Sequence, residues 1–125
     1  MSKYGNRKIT KNGMTFDSLH EYKRYSELSL LERAGAIRDL RRQVRYVLIP
    51  VQRSVSSEMY KKGEKAGEPK PGKLLEREVV YIADFVYLDA EGNTVVEDAK
   101  GLRTKDYIIK RKLMLYVYGL RVLEV

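Results

Sequence analysis

Two short apolar segments, each interrupted by an acid, constrain this chain more than any other feature. Val79 to Leu88 is dense in β-branched and aromatic residues, and Thr94 to Lys100 follows across an Asp-Ala-Glu-Gly-Asn cluster. That pattern predicts two strands joined by a tight connection, because Gly, Asn and Asp accept the backbone angles a turn needs. Asp84 stands between Ala83 and Phe85, where a charge is costly, and Asp98 and Lys100 are separated by one residue. Strand side chains alternate, so Asp98 and Lys100 share a face. Pairing Leu88 with Thr94 puts Asp84 opposite Asp98 on that face; a register one residue different puts it opposite Glu97 or Ala99. The first arrangement gathers two carboxylates and an ammonium, the parts of a hydrolytic metal site. The plainer reading of the same three residues is a cross-strand salt-bridge cluster.

The 125-residue chain is long enough for one domain with a single core, and its 43% hydrophobic and 34% charged residues are those of a soluble globular protein. With no cysteine and one histidine, disulfides and thiolate sites are excluded and any metal must be held mainly by oxygen. That favours Mg2+ or Mn2+. No apolar run is long enough to span a bilayer and the N-terminus lacks a hydrophobic secretory block, so the expected location is the cytoplasm. A net charge of +8 points to a polyanionic partner, nucleic acid before any anionic membrane.

Residues 1–16 form a basic arm with Lys3, Arg7, Lys8 and Lys11, and Asn12-Gly13 is the dipeptide most favoured in a two-residue hairpin turn. A helix is expected from about Asp17 to Ala34, ending at Gly35. Glu21 shares a face of that helix with Tyr25 and Leu28, the face expected to pack inward. Ser18 and Glu21 also have the spacing of a capping box, in which Glu21 merely returns a hydrogen bond to the backbone. His20 reads as an exposed helix residue. Ile37 to Val51 reads as a strand, crowded by Arg33, Arg38, Arg41, Arg42 and Arg45, which form either a solvated face or a phosphate-binding one. Residues 52–76, rich in Ser, Gly and Pro, read as a mobile loop or a long hairpin extension. Thr104 caps a helix from Lys105 to Tyr118 that ends at Gly119, with Lys105, Lys110, Arg111 and Lys112 in its first half. Leu120 to Val125 makes a last strand.

The resulting αβββαβ order, with Asp84, a hairpin and Asp98-Ala99-Lys100, resembles the PD-(D/E)XK nuclease superfamily over nearly the whole chain. It is similar in particular to small bacteriophage proteins that share Phe16-Asp17-Ser18 with Glu21, Ala83-Asp84-Phe85, and Val96-Glu97-Asp98-Ala99-Lys100-Gly101. Ala83 stands where the motif's name has proline. The resemblance implies a restriction-endonuclease-like α/β fold, a central mixed sheet flanked by helices. It implies that Asp84 and Asp98 ligate the metal, that Lys100 orients or deprotonates the attacking water, and that Glu21 adds a helix-borne ligand. Alternation along the strand favours Asp98 over Glu97 as the second acid. The implied activity is Mg2+-dependent or Mn2+-dependent cleavage of DNA, including branched intermediates such as Holliday junctions, by a phage or prophage endonuclease. Lys8, Lys11, Arg41, Arg42, Arg45, Arg103, Lys105, Lys110 and Lys112 are the expected DNA contacts, and symmetric cutting of two strands calls for a homodimer. The competing reading is a DNA-binding protein that keeps the fold without cutting.

Overall fold

The computed structural model describes residues 7–99 and 103–125, so Lys100 and Gly101 lie outside the described residues. The chain opens with a hairpin of β1 (Ile9–Lys11) and β2 (Met14–Phe16). Asn12 and Gly13 both have positive φ, 52° and 77°, as the expected two-residue turn requires. The hairpin delivers Phe16 into the interior, 1% exposed, with its ring centroid 5.3 Å from those of Tyr22 and Tyr25.

Helix α1 runs Leu19–Arg33, starting two residues later than its apolar pattern suggests. Ser18 has an extended backbone, and its hydroxyl accepts the Glu21 N–H at 3.1 Å. Asp17 is thereby left outside the helix, just ahead of its cap. Glu21 and Leu28 are buried on the inward face, as their spacing predicts. Strand β3 (Arg38–Ile49) follows, then β6 (Val79–Leu88) and β7 (Thr94–Asp98), helix α2 (Lys105–Tyr118) and β8 (Val122–Glu124). The bounds of β6 and α2 are those read from the sequence. Thr104 accepts the Tyr107 N–H, and Gly119 closes α2 at φ 69°, where a side chain would be strained.

The four long-range strands form one mixed sheet in the order β3-β6-β7-β8, with β6 and β7 antiparallel and β7 and β8 parallel. Leu88 pairs with Thr94, and the ladder runs back to Phe85 opposite Glu97. Neighbouring residues of β7 reach different layers: Glu97 meets Arg24 of α1, while Asp98 accepts from Tyr81, whose ring lies 6.4 Å from Tyr107 of α2. The two helices therefore cover opposite faces of the sheet. Leu28, Ile37, Phe85, Tyr87 and Ala99 form the core beneath α1, with Tyr25, Leu40 and Val95 packed against it. Among the described residues no helix is long and apolar enough to cross a membrane.

Val47–Val80 forms a compact unit by itself. Of the two forms expected for this region, it takes that of a hairpin extension. Strands β4 (Gln52–Arg53) and β5 (Leu74–Glu76) pair antiparallel, and backbone bonds such as Lys70 N–H to Glu58 and Tyr60 N–H to Glu68 continue the pairing outward. Glycine is required at position 72, where a Cβ would lie 1.6 Å from the Ser54 carbonyl oxygen. Little apolar surface is buried along it: Leu75 is 60% exposed and Val55 fully so.

Candidate metal centre

Three carboxylates from three different parts of the chain converge at the start of α1. Asp17 comes from the segment before the helix, Glu21 from its first turn and Asp84 from the middle of β6, and each offers an oxygen within 4.8 Å of the others. Asp84 and Glu21 are 3% and 2% exposed, whereas Asp17 faces solvent. Such a group persists in a folded protein only if hydrogen bonds or counter-charges offset the repulsion.

The offsets are specific. One oxygen of Asp84 accepts the Ala99 backbone N–H at 2.8 Å, which ties it to the end of β7. Glu21 accepts the Asp17 N–H at 3.0 Å through Oε2. The Ser18 half of the capping box is thus present, and the glutamate's own backbone bond goes to the residue before the cap. Oε1 of Glu21 takes a bond from Gln43 Nε2 at 2.9 Å, and the same amide nitrogen lies 3.2 Å from Asp84 Oδ1. Arg42 completes the surroundings, its guanidinium 3.7 Å from Glu21 and stacked 4.0 Å over the Phe16 ring. Burial, and after it the charge of Asp84, pushes the Glu21 carboxyl above its usual range.

Asp98 is as deeply buried, 1% exposed, and its carboxylate accepts the Tyr81 hydroxyl at 2.7 Å. Burial, reinforced by that bond, pushes the Tyr81 phenol up. Asp98 is not among the three acids whose oxygens converge. Glu97 turns to the other side of the strand and is engaged by Arg24 through two bonds of 2.7 Å and by the Tyr87 hydroxyl. Burial and then Glu97 push the Tyr87 phenol up to about 12.

Of the expected DNA contacts, Lys8, Lys11, Arg45, Lys105 and Lys112 are exposed and Lys110 is half-buried. Arg41 lies 3.6 Å from Asp39, and Arg103 pairs with Glu124 at 2.9 Å. Arg42 is committed to the Phe16 ring, to Glu21 and to the Thr15 carbonyl. A cleft of about 430 Å³ between α2 and β8 is lined by Arg111, Lys112 and Arg121 together with Leu115, Val122 and Glu124. Asp17, Gln43, Arg111 and Arg121 are the residues that the sequence reading left out of the site. Asp17 carried a signal, standing beside the cap in Phe16-Asp17-Ser18; Gln43 carried none, since its contacts span 22 and 41 positions.

The structure defines a mixed α/β protein whose four-stranded sheet and two helices are compatible with a nuclease-like core, and which brings three acidic side chains together at one helix start. The chain belongs to the family described as protein of unknown function (DUF1064), whose model matches residues 1–123. No curated protein and no solved structure matches it.

Proposed function

We propose that the protein is a metal-dependent DNA endonuclease of the PD-(D/E)XK kind, acting in the cytoplasm on double-stranded or branched DNA. The observation that carries this reading is the convergence of Asp17, Glu21 and Asp84. The donor set suits a hard divalent cation: it consists of carboxylate oxygens alone, two of them buried, with space on the solvent side at Asp17. Glu21 and Asp84 would hold Mg2+ or Mn2+, with Asp17 joining from the exposed side. The bound cation would act as a Lewis acid towards the phosphate and lower the pKa of a bound water.

The chain's own residues supply the rest. Ala99 N–H and Gln43 fix the orientation of the Asp84 carboxylate. Tyr81 orients Asp98, the acid that the resemblance assigns to the second motif position. Lys100 is assigned to the attacking water and to charge developing on the scissile phosphate. Exposed Lys8, Lys11, Arg45, Lys105 and Lys112, and the cleft at Arg111 and Arg121, offer cations for phosphates away from the cut.

The test is cleavage of linear, flap, Y-shaped and four-way DNA in Mg2+ or Mn2+, each repeated with chelator. Cutting that requires the metal and disappears in Asp84→Asn and Lys100→Ala is the expected result. DNA that is bound by the wild type but cut under none of these conditions would point instead to a non-catalytic DNA-binding protein.

A further inference from the structure

Gln43 lies in the middle of β3, yet its φ is 52°. For an L residue with a long side chain, left-handed backbone costs roughly 1–2 kcal/mol, and such strain survives where the surroundings impose it. Its neighbours reach different helices. Arg42 stacks on Tyr25 of α1, but Tyr46, four residues later and so on the same face of a regular strand, packs on Tyr118 of α2. Between Arg42 and Tyr46 the strand's contacts pass from α1 to α2, and Gln43, at positive φ, lies between them.

The departure puts the Gln43 amide between two buried acids. Its Nε2 is 2.9 Å from Glu21 Oε1 and 3.2 Å from Asp84 Oδ1. Only the NH2 end of an amide can donate to two carboxylates, and it carries two hydrogens for the two bonds. An arginine or lysine here would add a full positive charge that competes with a cation. A neutral amide restrains both carboxylates and leaves their charge in place.

We propose that Gln43 is a positioning residue: it spans Glu21 and Asp84, one on α1 and one on β6, and holds them at the separation at which a divalent cation is bound. This rests on the metal-site reading above. The strained backbone of β3 is the cost of aiming that one amide. Partners that orient metal ligands typically change metal affinity by about 10- to 100-fold when removed.

The experiment measures Mn2+ dissociation constants of the 125-residue protein by electron paramagnetic resonance, for wild type, Gln43→Leu and Gln43→Asn, with thermal melts in chelator. Leucine removes both donors at similar size. Asparagine keeps an amide and takes positive φ more readily, but is one methylene too short to span both acids. Both variants should bind Mn2+ about 10-fold or more weakly, with cleavage restored by raising Mn2+, and Gln43→Asn should melt no lower than wild type. If Gln43→Asn binds Mn2+ as tightly as wild type does, the spanning role is wrong while the metal site stands. If wild type itself binds no Mn2+, the metal-site reading falls and this proposal with it. Should Gln43→Leu fail to fold, Gln43→Asn alone decides.

Discussion

Glu97 and Glu21 are buried to nearly the same degree, 1% and 2% exposed, yet their surroundings differ in kind. Glu97 receives two bonds from the Arg24 guanidinium and one from Tyr87, so its charge is met by a full opposite charge in matched bidentate geometry. Glu21 receives a backbone N–H and a neutral amide, has Arg42 at 3.7 Å, and shares its space with Asp17 and Asp84. The first arrangement completes itself within the fold and serves to join α1 to β7. The second concentrates negative charge that no bidentate counter-charge meets. The contrast also assigns adjacent residues of one strand: Glu97 is turned to the structural pair and Asp98 to the opposite face.

The largest effect should come from breaking the first arrangement. Arg24→Ala leaves Glu97 buried without its counter-charge, a change that typically costs about 3–5 kcal/mol, with the lower end expected because Arg24 is itself 25% exposed. Urea unfolding measures it. A loss below about 1 kcal/mol would mean that the pair is no more than a surface bridge.

The second arrangement should respond to metal instead. At 100 times its dissociation constant, Mn2+ should add about 2.7 kcal/mol to wild type, which for a domain of this size raises the melting temperature by roughly 10 °C. Asp84→Asn should gain little, while starting in chelator at or above the wild-type value because it relieves repulsion. Arg24→Ala should start low and keep the full gain. Equal gains in wild type and Asp84→Asn would break the comparison.

A smaller effect follows from the raised Glu21 pKa, caused first by burial and then by Asp84. The native state then holds this proton more tightly than the unfolded chain does. In chelator, the stability it contributes is fully present below about pH 4.5, the ordinary glutamate value, and is lost as pH rises through the elevated folded value. Glu21→Gln fixes the neutral form and can still accept the Asp17 N–H, so its melting curve should rise above that of wild type through this window. Parallel curves from pH 4 to 8 would show that Glu21 has no unusual environment.

How far the sequence revealed this arrangement depended on how local each cause was. Helix α2 was legible to the residue because Thr104 and Gly119 lie at its ends and act on their own backbone. The β6–β7 register was legible because the short turn and the apolar runs agree on it, with Leu88 opposite Thr94. Residues 52–76 could be read only as a loop or a hairpin, since few buried side chains fix their pairing. Glu21 was legible as an inward-facing acid beside the helix cap because its face and its spacing are helical properties. Asp17 lost its place in the predicted helix because Ser18 takes the cap. Gln43 was illegible as a site residue because it depends on a positive φ inside a strand; Arg42 was read as a DNA contact, and its place beside Glu21 depends on an aromatic surface assembled by β2 and α1. Glu97 lay beside the predicted acid, but its partner Arg24 is 73 positions away.

The most direct measurement is anomalous scattering from crystals soaked in Mn2+. A peak bounded by Asp17, Glu21 and Asp84 is expected, within coordination distance of their carboxylate oxygens, with Glu97 still held by Arg24. Well-ordered crystals in saturating Mn2+ that show no peak among these three carboxylates would contradict it.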